Sequence, residues 1–249
     1  MRTLYIDGKA GISSDMMLAA LQDLNGTQKA DGWKNLDFLV HSIPHDERHH
    51  HRSYRRIEKA IQKAPIPLEA KEYAKRIYRA IGRVEARIHR CTLDDLHLHE
   101  LGRRQAIHNI LGIALFYHGL AVGKVRCSPL TVGWGKVNCS HGEMEVPVPA
   151  VRALMEESKL LFRTGSVAQE LVTPSGLAIL VGLEAQPGSY HEGKILGQGS
   201  GLGTKETGLG ALKILLVEEE EITESLFKRE KVEIQQKERN HAKKPGKNL

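Results

Sequence analysis

Aromatic residues make up only 5% of this 249-residue chain, cysteine occurs three times, and there is no long apolar run. Each shortage excludes something. No stretch approaches the ~20 apolar residues of a membrane-spanning helix, so no membrane is expected as a partner. The opening residues, MRTLYIDGKAG, lack the apolar segment of a secretory signal. Cys91, Cys127 and Cys139 form neither a Cys-x-x-Cys pair nor an even-numbered set, so they read as reduced thiols rather than a disulfide framework. A soluble, cytoplasmic protein is the expectation. With so few rings the core must rest on Leu, Ile, Val and Ala, and nucleic-acid bases would find few stacking platforms.

What is present is enough for a real core: 41% of residues are hydrophobic and 27% charged. The net charge of +6 raises the question of nucleic acid, but the charge is not one patch. Seven Lys or Arg against two Glu lie between residues 71 and 90, on one expected helix, and more lie in the tail. Solvated faces account for such charge, and nucleic acid is not an expected partner.

Residues 3–6, TLYI, read as a short buried strand entering the glycine loop DGKAGISSD. An amphipathic helix follows, with Met17, Ala20, Leu21 and Leu24 on one face and Ser13 or Ser14 as its N-cap. LDFLVHSI is a candidate strand, and a helix to about residue 63 is stopped by APIP. From 69 to 90 a helix carries Ala74, Ile77, Ile81, Val84 and Ile88 in steps of three and four. Another helix is expected over 102–118, then strands within KVRCSPLTV, KVNCS and EMEVPV. Pro149 and Pro174 each stand where a helix begins. The segment GQGSGLGTKETGLG fails as a dinucleotide fingerprint and reads as a hairpin feeding ALKILLVEE. The fold class is α/β, with α+β as the alternative: a mixed sheet with packed helices over residues 1–217, with a sub-boundary near 120. A charged, disordered tail is expected over 218–249.

Several segments carry side chains suited to chemistry. His49 with His51, and His97 with His99, are His-x-His pairs, which in an extended segment point to one side and can share a metal. Glu100 follows directly, as ligand or hydrogen-bond partner. Imidazole and carboxylate suit nickel, manganese, zinc or iron, so ligand type alone does not choose the metal. In the loop before the first helix, Gly8, Lys9, Gly11, Ser13 and Ser14 offer backbone N–H groups and a counter-charge to a phosphate or carboxylate. Asp7 and Asp15 flank it as metal ligands, or Asp15 merely complements the helix dipole. Cys139 and His141, in CSHG, present sulfur and nitrogen two residues apart. Thr173 and Ser175 open a second helix N-terminus, with Glu170 beside it as general base or surface carboxylate.

Taken in order, LYIDGKAGISSDMMLAALQDL, HHHRSYRRI, LHLHELGRRQAIHNILG, CSPLTVGWGKVNCSHGEMEVPVPAVRALM, ELVTPSGLAIL and GQGSGLGTKE resemble one family. It is that of the nickel-insertion proteins of the lactate racemase cofactor system (LarC type), and the likeness runs from residue 3 to about 217. The resemblance implies CTP-dependent insertion of nickel into pyridinium-3,5-bisthiocarboxylic acid mononucleotide, which yields the nickel-pincer cofactor. It implies nickel as the substrate metal, manganese or magnesium as an accessory, and the precursor mononucleotide as partner. On this reading His49, His51, His97, His99, Cys139, His141, Asp7 and Asp15 handle metal. Glu100 and Glu170 are the candidate catalytic carboxylates, and the two helix N-termini lie near the phosphate.

The departures from the family pattern are specific. Gln105 and Asn109 stand where that pattern has aspartates, and Arg103 and Arg104 where it has small apolar residues. Arg56 replaces a common aspartate, Gly8-Lys9 a Cys-Phe pair, and Ser14 a glycine. Members of the family also continue into a C-terminal domain to which nucleotide and nickel binding are attributed. The chain is therefore expected to be an N-terminal half, using CTP only through such a domain, supplied by a separate polypeptide; a homo-oligomer is an open expectation. Two other readings stand beside the first: a non-catalytic paralogue or partner subunit, and a basic anion- or nucleic-acid-binding module.

Overall fold

The computed structural model describes residues 1–26, 52–190 and 192–219. The candidate strand LDFLVHSI, the pair His49 and His51, and the tail from residue 220 lie outside those residues. The central sheet is mixed and has the order β10-β11-β1-β4-β9. It is formed by β1 (Arg2–Asp7), β4 (Lys124–Cys127), β9 (Gln186–Pro187), β10 (Lys194–Gly201) and β11 (Leu212–Glu218). The strands β1, β4 and β9 run parallel, while β11 is antiparallel to both β1 and β10. Because β1 lies between β11 and β4, segments from both sides of residue 120 share one sheet.

The α/β expectation is met, and the reason is visible in the strand alternation. Leu4 and Ile6 of β1, Val125 and Cys127 of β4, and Leu212, Ile214 and Leu216 of β11 all point to one face and enter one core. Helices pack on that side: α1 (Ser14–Leu24) lies on β10 and β11 and meets α4 (Arg104–Gly119) and α6 (Pro174–Gly182). These two pack on α3 (Leu68–His89), and α2 (Tyr54–Lys63) and α5 (Pro149–Glu157) pack on α3 as well. Ser13 is the N-cap of α1, accepting from Met16 N at 3.4 Å. Pro149 and Pro174 begin α5 and α6. In α3 the stripe Ala74, Ile77, Ile81 and Val84 is buried, whereas Ile88, one step further, is exposed near the helix end. None of the described helices is long and apolar enough to cross a membrane.

KVRCSPLTV divides into β4 and the separate β5 (Leu130–Val132), which pairs in parallel with β8 (Phe162–Thr164). The break comes at Ser128-Pro129, where proline has no N–H to donate and the Ser128 hydroxyl instead accepts from Gly8 N at 2.9 Å. Gly197, Gly199 and Gly201 of GQGSGLG lie on β10 beneath α1, and Gly203 follows the strand. A Cβ at Gly199 would stand 2.1 Å from Ala20 O, and one at Gly201 2.0 Å from Met16 O. Their absence of side chains lets the helix backbone rest directly on the strand. Four short strands form two further pairs: β2 (Arg52–Ser53) with β3 (His97–Leu98), and the hairpin β6 (Lys136–Cys139) with β7 (Gly142–Glu145).

Candidate functional site

The glycine loop after β1 leads α1 and α6 to a common corner. Ile12 bridges to Val172, Ile12 N donates to Leu171 O at 2.8 Å, and Thr173 N donates to Ile12 O at 3.0 Å. Gly11 is held at φ 76°, and a Cβ there would meet Leu171 O at 2.1 Å, so only glycine fits. Three more of the loop's backbone donors are engaged within the protein. Gly8 N goes to Ser128 Oγ, Lys9 N to Asp7 Oδ1 at 3.1 Å, and Gly11 N to Gly8 O at 3.1 Å. Asp7 accepts in addition from the Ser128 hydroxyl at 3.3 Å.

The N-terminus of α1 already faces an anion, the chain's own Asp15. Its carboxylate accepts from the Ser13 hydroxyl and from Thr204 N at 2.8 Å. Burial raises its proton affinity, but the bonds from Ser13, Thr204 and the helix backbone outweigh that and hold it below the ordinary aspartate range. On α6, Thr173 Oγ1 accepts from Gly176 N at 3.0 Å and contacts Ser175 Oγ at 3.1 Å. Glu170, little exposed, is paired with Lys205 at 3.0 Å. The two amides of α4 also belong to this corner: Gln105 Nε2 donates to Asn109 Oδ1 at 2.8 Å, and buried Asn109 donates from Nδ2 to Ser14 Oγ at 3.2 Å. Arg56 lies exposed on α2.

A second group forms at the other end of the motif set. His89, His99 and His141 each offer a ring nitrogen, and these atoms all lie within 4.8 Å of one another. The rings of His99 and His141 are 4.7 Å apart by centroid, those of His89 and His141 5.1 Å, and those of His89 and His99 6.2 Å. His89 is the last residue of α3, His99 precedes the short 3-10 turn Glu100–Gly102, and His141 sits at the tip of the β6–β7 hairpin. The hairpin is tied in place by Glu100, whose Oε1 accepts from Ser140 N at 2.8 Å and from the Ser140 hydroxyl. Burial pushes the Glu100 carboxyl up, and the Ser140 bonds more than offset this, so it stays ionised as an acceptor. Glu85, one helical turn before His89, places Oε2 3.5 Å from His89 Nε2, and its proton affinity is raised by burial.

The structure thus brings together His99 and His141, which sequence spacing set in separate pairs. His97 does not join them: it is exposed, and its Nδ1 contacts Asp95 O at 3.0 Å. Cys139 donates its thiol to Gly142 O at 3.4 Å and is not among the three grouped ligands. His89 and Glu85 were missed by motif reading. Their one sequence signal is the i, i+4 spacing of a Glu and a His at the end of an otherwise basic helix.

A family model described as nickel insertion protein matches residues 27–240 of the chain. A pyridinium-3,5-bisthiocarboxylic acid mononucleotide nickel insertion protein from Acetivibrio thermocellus is 35% identical over 245 residues, covering 87% of this chain and 60% of that protein. One of the same description from Staphylococcus epidermidis is 31% identical over 225 residues, covering 82% of this chain and 56% of that protein. The chain therefore spans at most about 60% of the length of these curated relatives. No solved structure matches it.

Proposed function

Because the chain belongs to the nickel insertion protein family, we propose that it holds nickel and delivers it to pyridinium-3,5-bisthiocarboxylic acid mononucleotide, the substrate in its relatives' names. The observation that carries this reading is the convergence of two motif segments, LHLHE and CSHG, which sets the His99 and His141 rings 4.7 Å apart. Imidazole binds nickel without the permanence of thiolate ligation, and the sulfurs of a thiocarboxylate are softer donors for the same ion. Transfer is then ligand exchange: nickel–nitrogen bonds break as nickel–sulfur bonds form, with no change in oxidation state.

The remaining expectations follow the donor chemistry. Magnesium and manganese favour oxygen ligands, whereas the metal-spaced group among the described residues is wholly imidazole. The loop at 8–12 does not fit a CTP triphosphate, since Gly8, Lys9, Gly11 and Ile12 donate their N–H groups within the protein. No step here runs through CTP, and its use belongs to a further polypeptide region of the complete system.

The test is nickel transfer from the purified, nickel-loaded chain to the thiolated mononucleotide, with and without the C-terminal region of a relative. Appearance of the nickel–sulfur absorption of the product supports the proposal. Its absence in both arms overturns it. That result would favour a second reading, a relative that keeps the fold without turnover. The neutral Gln105–Asn109–Ser14 network favours the same reading, since it replaces acidic side chains of the family pattern by amides that bond one another.

A further inference from the structure

We infer that α3 completes the metal site: His89 is its third imidazole ligand, and Glu85 is the positioning residue behind it. This rests on the nickel-handling reading above and extends it to two residues outside every motif. Three nitrogens bound to one ion at about 2.1 Å stand about 3.4 Å apart in tetrahedral geometry. The three ring nitrogens, all within 4.8 Å of one another, reach that spacing by small side-chain rotations.

The supports of the three rings are tied to one another. His89 ends a helix whose Ala74, Ile77, Tyr78, Ile81 and Val84 are all fully buried. Tyr78 also donates to Leu101 O at 3.1 Å, which ties α3 to the turn that follows His99. Glu100 ties that same turn to the tip carrying His141. A cation among the rings would also face the carbonyl end of the α3 dipole, which favours positive charge.

Glu85 fits the role of an orienting carboxylate. Its side chain is 16% exposed and stands 3.5 Å from a His89 ring nitrogen, one turn back on the same helix. A carboxylate bonded to a ligating imidazole fixes the ring's orientation and raises its basicity. His89 and His141 are exposed and His99 is half-buried, so the group opens to solvent on one side. Three protein ligands with an open face describe a centre from which an incoming sulfur donor can take the ion, rather than a closed structural site.

The experiment is nickel titration of the full chain, with cobalt as a spectroscopic probe, in a background carrying His49→Ala, His50→Ala and His51→Ala to remove the histidine run of the sequence at 49–51. One nickel per chain is expected. His89→Ala, His99→Ala and His141→Ala should each weaken binding by ten-fold or more, and Glu85→Gln by about ten-fold at unchanged stoichiometry. His97→Ala should match the parent. His89→Gln, with unfolding temperature measured in parallel, separates lost ligation from lost structure. Unchanged nickel affinity in both His89 variants, or a loss in His97→Ala equal to that in His89→Ala, overturns the inference. Failure of transfer to the mononucleotide with this affinity pattern intact would overturn the proposed function alone. Transfer that survives with His89 variants binding normally would overturn the third ligand alone.

Discussion

The corner where α1, α4 and α6 begin and the imidazole group where α3 ends differ in where their polar atoms point. In sequence both look like ligand sites: a glycine loop with two aspartates and two serines, and a set of histidines beside a glutamate. In the corner, Asp7, Ser13, Ser14, Asp15, Asn109 and Thr173 all bond to other parts of the chain. In the imidazole group the carboxylate of Glu100 anchors backbone, while the three ring nitrogens converge on one point open to solvent. The same residue types therefore serve closure in one region and display in the other. Polar side chains that satisfy one another's hydrogen bonds specify structure, whereas imidazoles brought together at the surface from three separate elements are set for a cation.

If that contrast is right, the largest effect should come from breaking the corner's backbone. Gly11→Ala forces a side chain onto φ 76° and toward Leu171 O, only 2.1 Å from the new Cβ. Neither group is a flexible side-chain end that can move aside. A loss of roughly 4 kcal/mol or more in denaturant unfolding is expected, at the extreme of single substitutions. A Gly11→Ala protein within about 1 kcal/mol of the parent would show that the corner is loosely built and free to receive a ligand.

Much of this was legible locally. Pro149, Pro174 and the APIP stop mark helix boundaries through proline's own covalent geometry, which needs no tertiary context. GQGSGLG was readable as a hairpin, but the reason for its glycines was not, because it lies in the backbone of Met16 and Ala20, far away in sequence. The His97–His99 pairing failed for a geometric reason. Strand β3 ends at Leu98, and the His97 ring contacts Asp95 O while His99 lies with His89 and His141. His89 was hidden for the opposite reason. Within α3 it is one polar residue on a basic helix, and only the fold brings it to the histidines of two distant loops.

A middle-sized effect separates structure from metal at Asp15. Asp15→Asn removes the charge that accepts from the Ser13 hydroxyl and from Thr204 N, at a cost of about 2 kcal/mol near neutral pH. The sign of the pH dependence follows from its depressed proton affinity. The stabilisation is complete above the usual aspartate value of 3.8 and is lost as pH falls through the lower value of the folded state. Unfolding curves of parent and variant should therefore converge in strong acid. Nickel affinity should not change; a ten-fold loss would move Asp15 from the closed region into the displayed one.

The smallest structural effect belongs to the imidazole group, and its smallness is the point. His141 is exposed at the tip of the β6–β7 hairpin, and the tie that holds this tip comes from Ser140 to Glu100 rather than from the imidazole. Replacing His141 by alanine should change unfolding free energy by no more than about 0.5 kcal/mol, as surface substitutions do. With nickel present the result should differ. A ligand bound only by the folded state stabilises it by an amount that grows with its concentration relative to Kd. The parent's unfolding temperature should rise on nickel addition, and His141→Ala should lose most of that rise while keeping the metal-free value. If the variant were instead destabilised without metal and still shifted by nickel, the hairpin tip would be a packing element like the corner, and the contrast between the two regions would collapse.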